Sequence, residues 1–321
     1  MRTTMLALAT VLAGFLPGAG TADEANTPRW IAASNAEAAV LLDTYARFFP
    51  ETAGELGVTG LDTRVLDLGP ALSERISAAF TAAARELEDR KAVARDARVV
   101  MDLEILRQDA LLQAELEATR QRYLLTAFDV AGSVYAGGRA LLNDQVAGER
   151  RPAAAIRLQR YAGLEEGYTP ASVLAEARVR ERLGTIGLLY PVREELEQQL
   201  ANSSLYLDGV EELLDQYKVK GAGKALKELR VQVAAYDDFL RREVLPKARE
   251  DFRLPAELYA VQLKDVGVDI PPADLVARAR TSYQEIRNQL VALAPVVAAQ
   301  LGLDATDYPS VIRALRSAQV T

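Results

Sequence analysis

Residues 253–300, RLPAELYAVQLKDVGVDIPPADLVARARTSYQEIRNQLVALAPVVAAQ, decide the fold. The Pro271-Pro272 pair presets a helix entry, because proline fixes φ and loses nothing by lacking an N–H in a first turn. Beyond it no glycine or proline occurs until Pro295. Val276, Ala279, Tyr283, Ile286, Leu290, Leu293 and Val297 follow at alternating steps of three and four. That spacing, about 3.5 residues, keeps one seam facing a partner helix. It predicts one long heptad-like helix over about 272–300, with its partner inside this chain in preference to a second copy. Just upstream, Pro255 starts a shorter helix that Gly267 closes.

The rest of the chain repeats the helical signal. Half of its 321 residues are apolar and aromatics are only 6%, while alternating Val, Ile and Thr runs are nearly missing, which selects an all-α, multi-helix array with no substantial sheet. Ser34 and Glu37 form a capping-box pattern expected to open the first helix, with Leu41, Tyr45, Phe48 and Phe49 on one side and Pro50 ending or bending it. Leu72, Ile76, Phe80, Ala83 and Leu87 recur at helical spacing. A helix over about 94–119 is read with Ala97, Val100, Met101 and Leu111 inward. Gly132, Gly137 and Gly138 break 123–148 into short helices and turns, and further helices follow Pro152, Pro170 and Pro191. Leu226, Leu229, Val233, Tyr236 and Leu240 line one face of another helix, over 224–242.

The first residues form a separate block. Arg2, the apolar run Met5 to Leu16 and the small residues up to Ala22 have the make-up of a signal peptide, too short to span a bilayer. The expected organisation is a signal peptide over 1–22, a linker over 23–33 and one helical domain over 34–321. It predicts export, to the periplasm or beyond the cell, with no stable membrane span after cleavage. The net charge of -7 excludes broad nucleic-acid binding, which needs a basic surface.

Composition also limits chemistry. The chain has no cysteine, which removes disulfides, thiolate catalysis and lipid anchoring through an N-terminal Cys. It has no histidine either, which removes the commonest general base and metal ligand and excludes a Ser-His triad. Ser133 sits in Ala-Gly-Ser-Val-Tyr, outside any nucleophile-elbow pattern. KVKGAGKALKELR, residues 218–230, fails the phosphate-loop pattern, with Lys218 in place of the first Gly and Ala225 in place of Ser or Thr. The acid pairs Glu165-Glu166, Glu194-Glu195, Glu211-Glu212 and Asp237-Asp238 read as solvated helix faces, since adjacent helical residues point about 100° apart. The acids Asp62 with Asp67 and Asp208 with Glu212 lack the spacing of a calcium loop.

The stretch RLPAELYAVQLKDVGVDIPPADLVARARTSYQEIRNQL resembles the bacterial family called domain of unknown function 885, whose members are helical and often exported. FFPETAGELGVTGLDTRVLDL, RLQRYAGLEEGYTPASVLAEARVRERL, YDDFLRREVLPKAREDFRLP and DYPSVIRALRSAQ agree with that family in the same order. The resemblance implies a protein whose C-terminal half carries a His-Glu stretch and a Gly-His-His, similar to zinc metallopeptidases. With no histidine, this chain takes over no catalytic residue and no metal ligand. It is expected to correspond to the N-terminal half, inactive alone, with zinc only in the half it lacks. Its expected partners are that missing C-terminal half or a peptide-like substrate. In that reading Arg253, Glu257, Tyr259 and Asp62 are the candidates for lining a substrate cleft. The alternative is a non-enzymatic exported helical binding module.

Overall fold

The computed structural model describes residues 28–305 and 307–319; the expected signal peptide and its cleavage point at Ala22 lie outside them. The described residues form twelve α-helices and no strand: α1 (Arg29–Phe48), α2 (Pro50–Glu55), α3 (Leu72–Val93), α4 (Ala97–Tyr123), α5 (Val130–Arg139), α6 (Ala153–Tyr161), α7 (Ala171–Arg182), α8 (Arg193–Gln216), α9 (Gly223–Phe239), α10 (Ala256–Asp265), α11 (Pro272–Leu301) and α12 (Tyr308–Gln319). The fold is all-α. Two isolated bridges, Leu124 with Leu189 and Val192 with Arg249, are its nearest approach to a sheet. The helices group into two compact units divided after Gly267.

In the first unit, α1, α3 and α4 share one core. Phe48, Ile76, Phe80, Leu87, Val99 and Leu103 are buried together, and Tyr45 meets Phe80 edge-on at 5.2 Å between ring centroids. The inward residues read for α3 are the ones the core uses. Two local expectations change. The helix α1 starts at Arg29, with Pro28 at its cap, because the fixed φ of proline is already helix-like. Ser34 is therefore a buried residue within the helix rather than its cap, and residues 29–33 are helical rather than linker. The inward face of α4 also differs: Met101 is 59% exposed, while Val99, Leu103, Ala110 and Ala114 are buried. The helix packs against α1, α3 and α10 on different sides, so no single apolar stripe marks one inner face.

The larger core lies under α5 to α9. Leu158, Val179, Leu196, Val210, Leu229 and Tyr236 are among its members. Asp129 caps α5 by accepting from the backbone N of Gly132. At Gly137 an added Cβ would lie 2.3 Å from the Tyr161 hydroxyl oxygen, so α5 and α6 meet only because that position has no side chain. The helix α9 runs into a single π-turn, Leu240–Val244, and a short 3-10 turn at Pro246. Helix α10 closes this unit by laying Leu258 and Val261 on Leu116 of α4.

The second unit is α11 and α12. The long heptad-like helix spans 272–301, Gly302 closing it at φ 62° and Pro295 lying inside it. Within this unit most of its seam has no partner. Within this unit α12 packs only on the last turns, where Ala294 and Ala298 meet Val311, and Val276, Tyr283, Ile286, Leu290 and Leu293 are exposed, Tyr283 by 60%. The intramolecular partner expected for the seam is not supplied by α12, which is twelve residues long and reaches only the far end.

Replacing fully buried Leu103 by Ala removes three carbons from the α1–α3–α4 core and is expected to cost about 3 kcal/mol of unfolding free energy. Met101→Ala, two residues earlier on the exposed side, is expected to cost less than about 1 kcal/mol. Chemical denaturation of the two variants checks the inward face of α4.

Candidate functional site

Residues 56–71 join α2 to α3 without regular structure, and beyond the turn bond from Arg64 N to Leu61 O their carbonyls need partners outside the segment. Arginines supply them. Arg157, 2% exposed, donates from one Nη to Leu61 O at 2.9 Å and from the other to Gly137 O at 2.8 Å. Arg160 donates to Thr63 O at 2.8 Å, and Arg178 to Leu68 O at 2.7 Å. From α2, Glu51 accepts from the backbone N of Leu66 at 2.8 Å and from the Tyr161 hydroxyl.

This hub holds displaced titrations. Burial pushes the Glu51 carboxyl up, the Tyr161 hydrogen bond partly opposing it. Glu55, one turn away, is also raised by burial, with Arg139 and Arg157 pulling it back. Burial raises the Tyr161 phenol well above its ordinary value. Perturbed groups cluster at working sites but also in structural networks. The void beside Tyr161, lined by Leu66, Leu68, Phe128, Val130, Ser133, Val134 and Ala171, measures about 10 Å³. That is room for about one water and for no substrate. The hub is a staple for the loop.

Asp62 sits on the outer side of the same loop. Arg150 grips it through two hydrogen bonds, 2.7 and 2.9 Å, and that contact lowers its carboxyl below the usual range. The other three candidates lie at the start of α10. Arg253 is exposed and 3.5 Å from Asp251. Glu257 accepts from Arg122 at 2.5 Å and from the Tyr123 hydroxyl at 2.6 Å, and the Tyr123 hydrogen bond, then Arg122, lowers its carboxyl. Tyr259 is exposed. The structure thus gathers Arg253, Glu257 and Tyr259 on one short segment, and among the described residues no hydrogen bond or ion pair links them to Asp62.

Helix α10 has a second attachment that the sequence reading did not single out. Gln113 of α4 donates to Asp265 of α10 at 2.9 Å and lies 3.5 Å from Asp109, while the Tyr45 hydroxyl of α1 reaches Gln113 at 3.4 Å. One buried oxygen each of Asp109 and Asp265 has no hydrogen-bond partner among the described residues. Burial, with the charge of Asp265 adding to it and Gln113 opposing, pushes the Asp109 carboxyl up to about 6. Arg120 is the cation that acts on Tyr45 here. The sequence signal was an acid on an otherwise inward turn, next to Ala110.

Zinc is the metal that the resemblance implies for a complete protein. There is no histidine or cysteine, and among the described residues no group of three or more potential ligands comes together. No step of a metal mechanism can be assigned to this chain.

Arg157→Met keeps the length of the side chain, orphans Gly137 O and leaves Leu61 O with only the Arg64 backbone N, so it is expected to lower stability by about 2 kcal/mol and to expose 56–71 to limited proteolysis. Unaltered cleavage and an unaltered unfolding midpoint would overturn the staple. For α10 the sign follows from the raised Asp109. Against about 3.9 in the unfolded chain, its stabilising contribution is fully present below pH 4 and is lost as pH rises through about 6. Hydrogen exchange over 256–265, corrected for intrinsic rates, is expected to show weaker protection at pH 8 than at pH 5, and Asp109→Asn is expected to flatten the difference.

No curated protein and no solved structure matches the chain. A family model described as "Bacterial protein of unknown function (DUF885)" matches residues 50–321. That range holds the stapled loop, the α5–α9 core, α10 and the long helix, and the chain belongs to the DUF885 family.

Proposed function

We propose that this chain is the exported, N-terminal helical part of a metal-dependent peptidase-like protein, and that it shapes and binds while the metal chemistry is carried by residues outside it. One observation carries the reading. The seam of α11, from Val276 to Leu293, is apolar, in heptad register and exposed. Such a seam is stable in water only when another helix covers it. The occupant in this reading is the His-bearing half that the family resemblance implies, and the start of α10, with Arg253, Glu257 and Tyr259, faces the peptide-like substrate. Asp62, gripped by Arg150 on the 56–71 loop, is the fourth residue this reading assigns to substrate. A second reading, a non-enzymatic exported helical binding module, draws on the groove between α8 and α9 described below.

The purified chain is expected to carry no stoichiometric zinc and to hydrolyse no peptide, and adding a His-bearing C-terminal segment of a family member is expected to bring both. Ile286→Asp is expected to block that complementation while leaving the unfolding midpoint unchanged, because Ile286 is exposed. Zinc and turnover in the chain by itself would sink the division of labour. Complementation that ignores Ile286→Asp would remove the seam from it.

A further inference from the structure

A groove of about 280 Å³ lies between α8 and α9. Its apolar floor is Leu200, Leu207, Val233 and Ala234, and its polar wall is Ser203, Ser204, Arg230, Asp237, Asp238 and Arg241. The acid pair at 237–238 divides as helical geometry requires. Asp238 is exposed, whereas Asp237 turns inward and is 6% exposed. The π-turn at Leu240–Val244 follows directly, and such turns are frequent beside functional sites.

The charges do not cancel. Arg230 is committed to Asp208 at 2.6 Å and Glu211 at 2.7 Å. Arg241 is committed to Asp238 at 3.1 Å. Asp237 has the Ser203 hydroxyl beside it, but that hydroxyl donates to Gln199 O at 3.2 Å, and among the described residues Asp237 makes no ion pair. A carboxylate in a low-dielectric wall is costly unless a cation meets it. Counting the rim, four acids face two cations, so the groove lacks positive charge.

We propose that this groove binds a small organic cation, a primary ammonium on a short apolar body, with the ammonium on Asp237 and the body on Leu200, Leu207 and Val233. The volume sets the size, since it lies just below the range of drug-sized pockets, about 300–1,000 Å³. The mixed rim sets the class: an anion would meet arginines already paired, and a neutral ligand would leave Asp237 unpaired. Burial pushes the Asp237 carboxyl up to about 6, Asp129 and Asp238 adding to the rise and Ser203 and Arg241 opposing it. Arg230, Asp208 and Glu211 are the remaining charged groups around the groove. Binding therefore tightens as Asp237 loses its proton.

Hexylamine, with 1-hexanol as its neutral counterpart and N-acetyl-lysine amide as a stand-in for a protein side chain, tests this by calorimetry and by amide shifts on the whole chain. Hexylamine is expected to bind about tenfold more weakly at pH 5 than at pH 8, the fraction of Asp237 ionised falling by about that factor, with shifts confined to 200–207 and 230–241. Asp237→Asn is expected to weaken it at least tenfold at pH 8 and to remove the pH dependence, and Asp238→Asn to change it less than threefold. Tighter binding of the lysine amide than of hexylamine assigns the groove to a protein side chain, and the reverse order to a free amine; both keep the ammonium on Asp237. Equal binding of 1-hexanol, wild-type affinity in Asp237→Asn, or no saturable hexylamine binding overturns the proposal. Should Asp237→Asn fail to fold, the shift map and pH dependence of the unaltered chain decide. None of these readouts depends on the peptidase-like reading.

Discussion

The Arg157 guanidinium is the interaction on which the first unit depends. An arginine with almost no exposure has lost its hydration, and it is tolerable only where carbonyls with no other donor receive its N–H groups. Gly137 O is such a carbonyl, and Leu61 O, which also accepts from the Arg64 backbone N at 2.9 Å, takes the guanidinium as its second donor. Through them α6 fixes the loop 56–71 on one side and α5 on the other. Arg160 and Arg178 repeat the device on Thr63 O and Leu68 O. The loop therefore has a definite path without a sheet or a disulfide, in a chain that has no cysteine.

That constraint explains what was legible in the sequence and what was not. The helices were legible, because Leu72, Ile76, Phe80, Ala83 and Leu87 in α3, and Leu226, Leu229, Val233, Tyr236 and Leu240 in α9, each pack on one side and keep a single period. Helix α4 was misread because it is gripped on three sides, so its buried positions drift around the helix. The start of α1 was misplaced because Ser34 and Glu37 match a capping box that Pro28 makes unnecessary. The staple was invisible for a different reason. Periodicity reports apolar burial, and Arg157 and Tyr161 are long polar residues at inward positions of α6, paired with the Leu61 carbonyl 96 residues away and the Glu51 carboxylate 110 residues away in sequence. Nothing local marks such partners.

The candidate site residues divide by their surroundings. Arg253, Glu257 and Tyr259 do share one exposed stretch at the start of α10. Asp62 has its charge occupied by Arg150, and Glu257 by Arg122 and Tyr123. The acid pair at 237–238, read as a solvated face, is half of one: Asp238 fits that reading, and Asp237 is buried. A pair of adjacent acids cannot share one environment on a helix, and the amphipathic stripe ending at Tyr236 and Leu240 already shows which member turns inward.

The seam of α11 then poses a physical question that the first unit does not. Thirty helical residues extend about 45 Å at 1.5 Å per residue, and α12 reaches only the last turns through Ala294, Ala298 and Val311. Within this unit the remaining turns draw on intrinsic propensity, which Ala, Leu, Arg, Glu and Gln supply well over 272–293. Propensity accounts for the helix but not for its pattern. A solvated helix has no reason to place Val276, Ala279, Tyr283, Ile286, Leu290 and Leu293 at alternating steps of three and four, which gather its apolar area into one contiguous stripe. The register is the feature of this helix that its own propensity leaves unexplained.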